Sequence, residues 1–137
     1  MALTHLLDTS VLTRLSQPPI REVVEPLALA GRAARAGITD LEIGFSARNA
    51  NEWDQFADSL SELGLVETTA EHMRRARQTQ RLLAEQSPKG RKIPDLLIAA
   101  AAELEQLTLL HYDSDFDFIA TATGQKCEWI LPRGSVD

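Results

Sequence analysis

The sequence predicts an α/β domain with a mostly parallel central sheet flanked by helices. Three observations carry that expectation. Short apolar runs with strand character ("ALTHLL", "LTLLHY", "CEWILP") alternate with longer segments whose apolar residues recur every three or four positions. Helix-length stretches separate the apolar runs, as parallel strands require of their crossovers. The chain has 137 residues, which is the size of one domain and is enough to bury a sizeable core, so residues 1–137 are expected to form a single unit.

Residues 2–7 read as the first strand, and a short helix over residues 10–15 follows, with Ser10 as a possible cap. "PPIREVVEPLALAG" reads as a helix that begins after Pro19 and carries Pro26 as an internal blemish. "RAARAGIT" has the alanine content of a helix, but Gly31 and Gly37 bracket a stretch too short for one, so the second strand is placed there. Thr39 or Asp40 is expected to cap a helix through Leu41, Ile43, Gly44 and Phe45. In "NEWDQFADSLSELG", Trp53, Phe56, Ala57, Leu60 and Leu63 form one apolar stripe, and Gly64 is read as its stop. "LVETT" is a short extended piece, residues 70–86 a helix, and "SPKGRKIP" a loop. Pro94 opens a helix running from residue 95 to about 106. "LTLLHY" is a strand, "SDFDFIATATG" a helix closed by Gly124, and "CEWILP" the last strand.

In "HLLDTSVLTRL" an apolar strand ends in a carboxylate rather than in a turn. Sites in open α/β sheets form beyond the carboxyl ends of the strands. Asp8 lies just past the first strand, and Asp113 just past "LTLLHY", with Asp115 and Asp117 behind it. Asp95 opens a helix, and Glu42 lies about one turn into another. Any one of these acids is accounted for as a helix cap or a dipole partner. If the first strand and "LTLLHY" are neighbours, however, four or five of them meet at one sheet edge. Such a cluster repels itself, and a divalent cation is the simplest compensation. Oxygen ligands without His or Cys favour magnesium or manganese over zinc. Carboxylates with such a cation suit the hydrolysis of phosphodiesters.

The formal charge of −6 weighs against a nucleic-acid binder, but its distribution points the other way. Arg74, Arg75, Arg77, Arg81, Lys89, Arg91 and Lys92 lie close together, opposed in the same stretch by Glu85 alone. A solvated helix face is the common reason for such a run. The sharper reading is a path for phosphates, with Arg74, Arg77 and Arg81 on one helix side, Arg75 pointing elsewhere, and Arg91 and Lys92 just upstream of Asp95. No aromatic residue stands among these basic groups, so a base-stacking platform is not expected. His5, His72 and His111 have no ligand spacing; His5 is expected to pack near the site and His72 on a helix face. His111 stands beside the acids, where a structural role outweighs contact with RNA. The lone Cys127 reads as a buried strand residue and excludes an internal disulfide, which fits a cytoplasmic protein. No apolar run is long enough for a membrane span, and no leader pattern opens the chain.

Four segments, "LLDTSVL", "TDLEIGFSAR", "IPDLLIAAAAE" and "HYDSDFDFIA", occur in the order and spacing of PIN domains. From about Leu3 to Pro132 the chain most resembles the toxin half of VapBC-type toxin–antitoxin pairs. That resemblance implies a PIN-like fold and an endoribonuclease dependent on Mg²⁺ or Mn²⁺. Asp8, Glu42, Asp95 and Asp113 match the four family acids, and Asp115 matches an additional acid of many members. The metal set it implies is Asp8, Asp95, Asp113 and Asp115. Thr9 and Ser10 match hydroxyl positions after the first acid, Asp117 looks like a surface residue, and His111–Tyr112 departs from the Thr–Arg of many relatives. The resemblance further implies a cognate VapB-like antitoxin that competes with the metal through an Arg or similar group, an RNA substrate, a homodimer, and no membrane. The groove between the short helix after Ser10 and the helices of residues 39–64 is the expected antitoxin surface, with Trp53, Phe56 and Leu60 as apolar anchors.

Two rivals are weaker on the same residues. A receiver-like Mg²⁺-binding signalling domain needs a lysine after its last strand, whereas Lys126 precedes "CEWILP" and no lysine stands before Lys89. A DNA-directed flap nuclease of the wider PIN-like group needs insertions that this length does not hold.

Overall fold

A computed structural model of the chain describes residues 2–87 and 90–136. Lys89, counted above in the basic run, lies outside the described residues.

The described elements run β1 (His5–Leu7), α1 (Thr9–Leu12), α2 (Pro18–Leu29), β2 (Ala33–Ala36), α3 (Gly37–Gly44), α4 (Ala50–Leu60), β3 (Gly64–Val66), α5 (Ala70–Gln86), α6 (Ile93–Leu104), β4 (Thr108–His111), α7 (Asp115–Thr123) and β5 (Cys127–Trp129). All pairings in the sheet are parallel, in the order β3-β2-β1-β4-β5. The expected α/β architecture is therefore the observed one. Strand order reverses at β1: the chain first builds outward through β2 and β3, then returns to place β4 on β1's other side. Leu6 pairs with Leu109 and Leu7 with Leu110, so Asp8 and Asp113 leave adjacent strands at the same edge. A crevice at such a reversal is where open sheets bind ligands.

Strand alternation divides the core in two. Leu6 and Leu109 face a cluster with Leu96, Ile98, Phe116 and Ile119, which packs α5, α6 and α7 onto one sheet face. Leu7 and Leu110 face Val11, Ile20, Val24 and Leu60 on the other. The alanine run Ala99–Ala102 of α6 is buried throughout, and these small side chains let α6 lie close to its neighbours. Among the described residues no helix is long and apolar enough to cross a membrane.

The helix ends differ from expectation in instructive ways. Ser10 does not cap α1; the Ser10 N–H donates to Asp8 Oδ2 at 2.9 Å, so the cap is Asp8. The Ser10 hydroxyl instead accepts the Tyr112 N–H at 2.9 Å, tying the end of β1 to the end of β4. Neither Thr39 nor Asp40 caps α3, which begins at Gly37 without a side-chain cap. Thr39 is buried, and its hydroxyl meets that of Thr9 at 2.9 Å. Asp40 is held by Arg35 of β2, with Nε to Oδ1 at 3.0 Å. The Asn49 side chain caps α4 by accepting the Glu52 N–H, and Gly64 opens β3 rather than stopping that helix. Pro94 lies inside the first turn of α6, which starts at Ile93. His5 lies at the entry end of β1, paired with Ala33 and Thr108, and so at the opposite end of the strand from the acids.

Candidate active site

The carboxyl edges of β1 and β4 open into a cleft of about 560 Å³ lined by Asp8, Glu42, Asp95 and Asp113. Each acid is placed by a different element. Asp8 ends β1 in extended backbone and is 2% exposed. Asp95 sits in the first turn of α6 and is 5% exposed. Asp113 follows β4 and receives the Asp115 N–H on Oδ1 at 2.9 Å, which fixes the turn into α7. Asp115 lies beside this cleft: oxygens of Asp95, Asp113 and Asp115 all fall within 4.8 Å of one another. Glu42 is reached across the cleft by Thr9, whose hydroxyl donates to Oε1 at 2.7 Å. The structure thus places four of the six acids named from the sequence round one cleft and Asp115 beside it, while Asp117 is exposed on α7.

Their electrostatics follow from burial and mutual repulsion. Burial raises Asp95, and the charge of Asp8 raises it further, to about 8. Asp8 is also raised, by burial first, against the pull of its hydrogen bonds at Ser10. For Asp113 burial acts upward, but the Asp115 amide and the Lys92 ammonium outweigh it, and its pKa lies below the ordinary value. Lys92 Nζ is 2.9 Å from Asp113 Oδ2 and 3.9 Å from Asp95 Oδ2, so this ammonium is a tethered counter-charge at the acids. Two buried oxygens, Asp8 Oδ1 and Asp95 Oδ2, accept no hydrogen bond. Buried carboxylate oxygens without donors are costly. Oxygen donors alone, two of them without a hydrogen bond, fit a hard divalent cation.

The basic residues separate into two sets. Arg91 does not present itself to solvent: its side chain is 6% exposed, lies 3.9 Å from Asp115 Oδ1, and stacks over Phe118 at 4.0 Å. Arg91 is thus turned toward Asp115, not toward solvent as expected, whereas Lys92 remains exposed at the acids. Arg74, Arg77 and Arg81 share an exposed face of α5 outside the acidic cleft. Arg74 pairs with Glu71 and Arg81 with Glu85, while Arg75 grips Glu103 of α6 through Nε and Nη2 at 2.6 and 3.1 Å. The Arg75 and His72 contacts to Glu103 and Glu105 fall at the end of α6 remote from Asp95, so the stripe starts at the far end of the domain.

His111 is wholly buried, between Phe116 and Trp129 with ring centroids 5.0 Å from each, and its Nδ1 accepts the Asp113 N–H. It holds the Asp113 turn from within the core, the structural role expected of it. His72 is buried too, and completes the capping box of α5 with Thr69. Asp117 is exposed and accepts the Trp129 indole N–H at 3.0 Å. Cys127 is half-buried, its thiol pushed up to about 12 by burial.

A second groove, mainly apolar and about 620 Å³, runs between α1, α2, α3 and α4. Phe56 and Leu60 line it; Trp53 does not. The Trp53 indole lies against Gly44 instead, where a Cβ would fall 2.5 Å from its Nε1. Thr13 and Glu42 line both this groove and the acidic cleft, so the two are continuous. Sequence reasoning missed the residues that enter the cleft from the chain's end, Trp129, Arg133, Gly134 and Val136. No local pattern marks them, because only the return of the chain past β5 brings them there.

The family model described as PIN domain matches residues 5–122. The chain is 61% identical to Ribonuclease VapC51 of Mycobacterium tuberculosis (strain ATCC 25618 / H37Rv), over the full length of both. It is 42% identical over 135 residues to Ribonuclease VapC18 of the same strain, covering 94% of this chain and 96% of that one. Among solved structures, VapBC2 from Rickettsia felis bound to a DNA fragment from its promoter has a TM-score of 0.74 at 21% identity, covering 93% of this chain and 98% of the other. DNA-bound VapBC from Salmonella typhimurium has a TM-score of 0.74 at 18% identity, covering 94% and 99%. At those identities the two structures bear on the fold alone.

Proposed function

The chain belongs to the PIN domain family, and from that membership we propose that it is a metal-dependent endoribonuclease, the toxin of a type II toxin–antitoxin pair that acts in the cytoplasm. The observation that carries the reading is the pair of buried oxygens of Asp8 and Asp95 that accept no hydrogen bond, beside Asp113 at the reversal of strand order. Asp8, Asp95, Asp113 and Asp115 would hold the cation, Mg²⁺ or Mn²⁺. Bound there, it supplies Lewis acidity toward a phosphate oxygen and lowers the pKa of a water. The protein's own part is placement and proton transfer. Glu42, fixed through Oε1 by Thr9, takes the proton of the attacking water. The water oxygen bonds to phosphorus as the bond from phosphorus to the ribose oxygen breaks, and that oxygen takes its proton from solvent water. Lys92 turns from Asp113 to a phosphate oxygen of the substrate.

Lys92→Ala is expected to weaken binding of single-stranded RNA and to lower the salt slope by about 0.7, the value of one lost phosphate contact. Arg75→Ala, which breaks the pair with Glu103, leaves that slope unchanged. Neutralising Arg74, Arg77 and Arg81 together tests whether RNA extends along α5: a slope lower by about 2 places RNA there, and no change makes that face a solvated one. Filter binding across a salt series measures all three. An Arg75 effect larger than that of Lys92 would show that the RNA path has been drawn wrongly.

The apolar groove offers a seat for a helix of the cognate antitoxin, a VapB-like protein, with Phe56 and Leu60 as anchors. Its junction with the cleft at Glu42 would let an antitoxin cation reach the acids. Self-association would use another face, where Phe45 is 90% exposed beside Leu41 and the 44%-exposed Trp53. One crossed experiment separates the two surfaces. Phe56→Asp abolishes co-purification with the antitoxin without changing the sedimentation of the free toxin, whereas Phe45→Glu yields monomers that still bind antitoxin. Loss of antitoxin binding by Phe45→Glu alone would reverse the assignment.

A further inference from the structure

Residues 132–136 take part in neither the sheet nor a helix, yet they wall the acidic cleft. One side chain holds them there. The Tyr112 hydroxyl donates to the Val136 carbonyl at 2.8 Å and accepts the Val136 N–H at 3.1 Å, so a single phenol takes both backbone groups of one residue. Tyr112 is itself fixed from three sides. Its N–H bonds Ser10 Oγ, the Arg14 guanidinium lies 4.9 Å above its ring, and Trp129 meets that ring edge-on at 5.4 Å. Between β5 and this latch the chain reverses in a turn closed by the Ser135 N–H to the Pro132 carbonyl at 3.0 Å. Gly134 there has φ 80°, a conformation that favours glycine. Arg133 occupies the turn ahead of it and lines the same cleft as Asp8 and Asp113.

Among the described residues three cations line the cleft, and Arg14 is already engaged, over the Tyr112 ring and with its guanidinium donating to the Ser10 carbonyl at 2.7 Å. Lys92 is held by Asp113, whereas no ion pair among the described residues engages Arg133. An unpaired guanidinium at the mouth of an acidic cleft, on a turn latched to the strand that carries Asp113, is placed for a polyanion. Resting on the ribonuclease reading, we propose that the latched C-terminal turn is part of the substrate site and that Arg133 binds an RNA phosphate adjoining the scissile one. Tyr112 is then a positioning residue, acting through Val136.

Steady-state cleavage of a short single-stranded RNA tests this, together with Mn²⁺ titration of the RNA-free protein. Arg133→Ala is expected to raise KM about five- to tenfold, as for loss of one charge-assisted contact, with kcat within about twofold. The salt slope falls by about 0.7 and Mn²⁺ affinity does not change. Arg133→Lys restores most of KM. Tyr112→Phe, which keeps the ring and removes the latch, raises KM similarly, and the double variant is no worse than either single one. An unchanged KM in Arg133→Ala overturns the proposal while leaving the ribonuclease reading intact. A higher KM in Tyr112→Phe alone makes the tail structural and overturns it too. Failure of the unmodified protein to cleave any RNA in Mg²⁺ or Mn²⁺ overturns both readings.

Discussion

Asp8→Asn should abolish RNA cleavage and raise the melting temperature of the metal-free protein at neutral pH. The two effects have one origin. Asp8 Oδ2 caps α1, and an Asn oxygen can take over that bond, so the fold is kept. Oδ1 is buried without a donor and lies in a cluster whose other charges raise the pKa of Asp8 after burial has done so. Losing this charge relieves repulsion with Glu42 and Asp113 and removes the need to desolvate a carboxylate. A gain of about 1–2 kcal/mol follows, or a few degrees in a domain of this size. The same substitution removes a metal ligand. Since even partners of ligands are worth about 10–100-fold, loss on the order of 10³-fold in kcat/KM is expected. Gel-based cleavage and thermal melts in EDTA read the two sides. Cleavage retained in Asp8→Asn, or retained by the unmodified protein in EDTA, would sink the metal reading. A melting temperature that falls would show that Asp8 is primarily a structural cap.

The acids were legible in the sequence because each stands where an apolar run stops or a helix starts, and parallel topology then carries them to one edge. Asp8 after "HLL" and Asp113 after "LTLLHY" needed only the adjacency of β1 and β4, which their registers supply. Even "RAARAGIT", the least strand-like run, holds a strand at Ala33–Ala36, because a crossover requires one there, although its last three residues open α3. What failed were assignments in which a polar side chain had both a local and a distant use. Ser10 and Thr39 were read as caps, but their hydroxyls serve Tyr112 and Thr9. Asp8 was read as a ligand, and it is the cap as well. The basic run looked unopposed because proximity along the chain hides Glu103, which reaches Arg75 from another helix, and Asp115, which lies beside a buried Arg91. Trp53 was placed on the groove by its spacing, but the missing side chain of Gly44 gives the indole a different seat. Arg133 and the Tyr112 latch have no local signature at all, since they exist only through tertiary contact.

The metal-free protein should lose stability as pH rises from about 4 to about 8, and bound metal should reverse that trend. Asp95 sets the sign. Its pKa is about 8 in the folded chain against an ordinary 3.8, so between those values the folded state holds a proton that the unfolded state has released. Its contribution is therefore complete below 3.8 and is lost as pH passes through 8. Asp8, raised for the same reasons, acts in the same direction. Asp113 acts oppositely, but it is lowered in the fold and so acts below its unfolded pKa, outside this window. His5 and His111, lowered by burial, oppose the trend inside it, so the Asp95 share is the difference between the unmodified protein and Asp95→Asn. A divalent cation requires deprotonated ligands, so near pH 7 its binding should expel about one proton, most of it from Asp95. Mn²⁺ affinity should rise with pH up to about 8 and then level off. Thermal melts across pH in EDTA and in excess Mn²⁺ give the stability arms. Calorimetric titration in two buffers of different ionisation enthalpy counts the proton. Asp95→Asn should flatten the metal-free slope, because the amide cannot titrate. A slope unchanged by that substitution, or metal binding with no proton released at pH 7, would mean that Asp95 is already ionised without metal, and the repulsion argument for a cation would lose its strongest support.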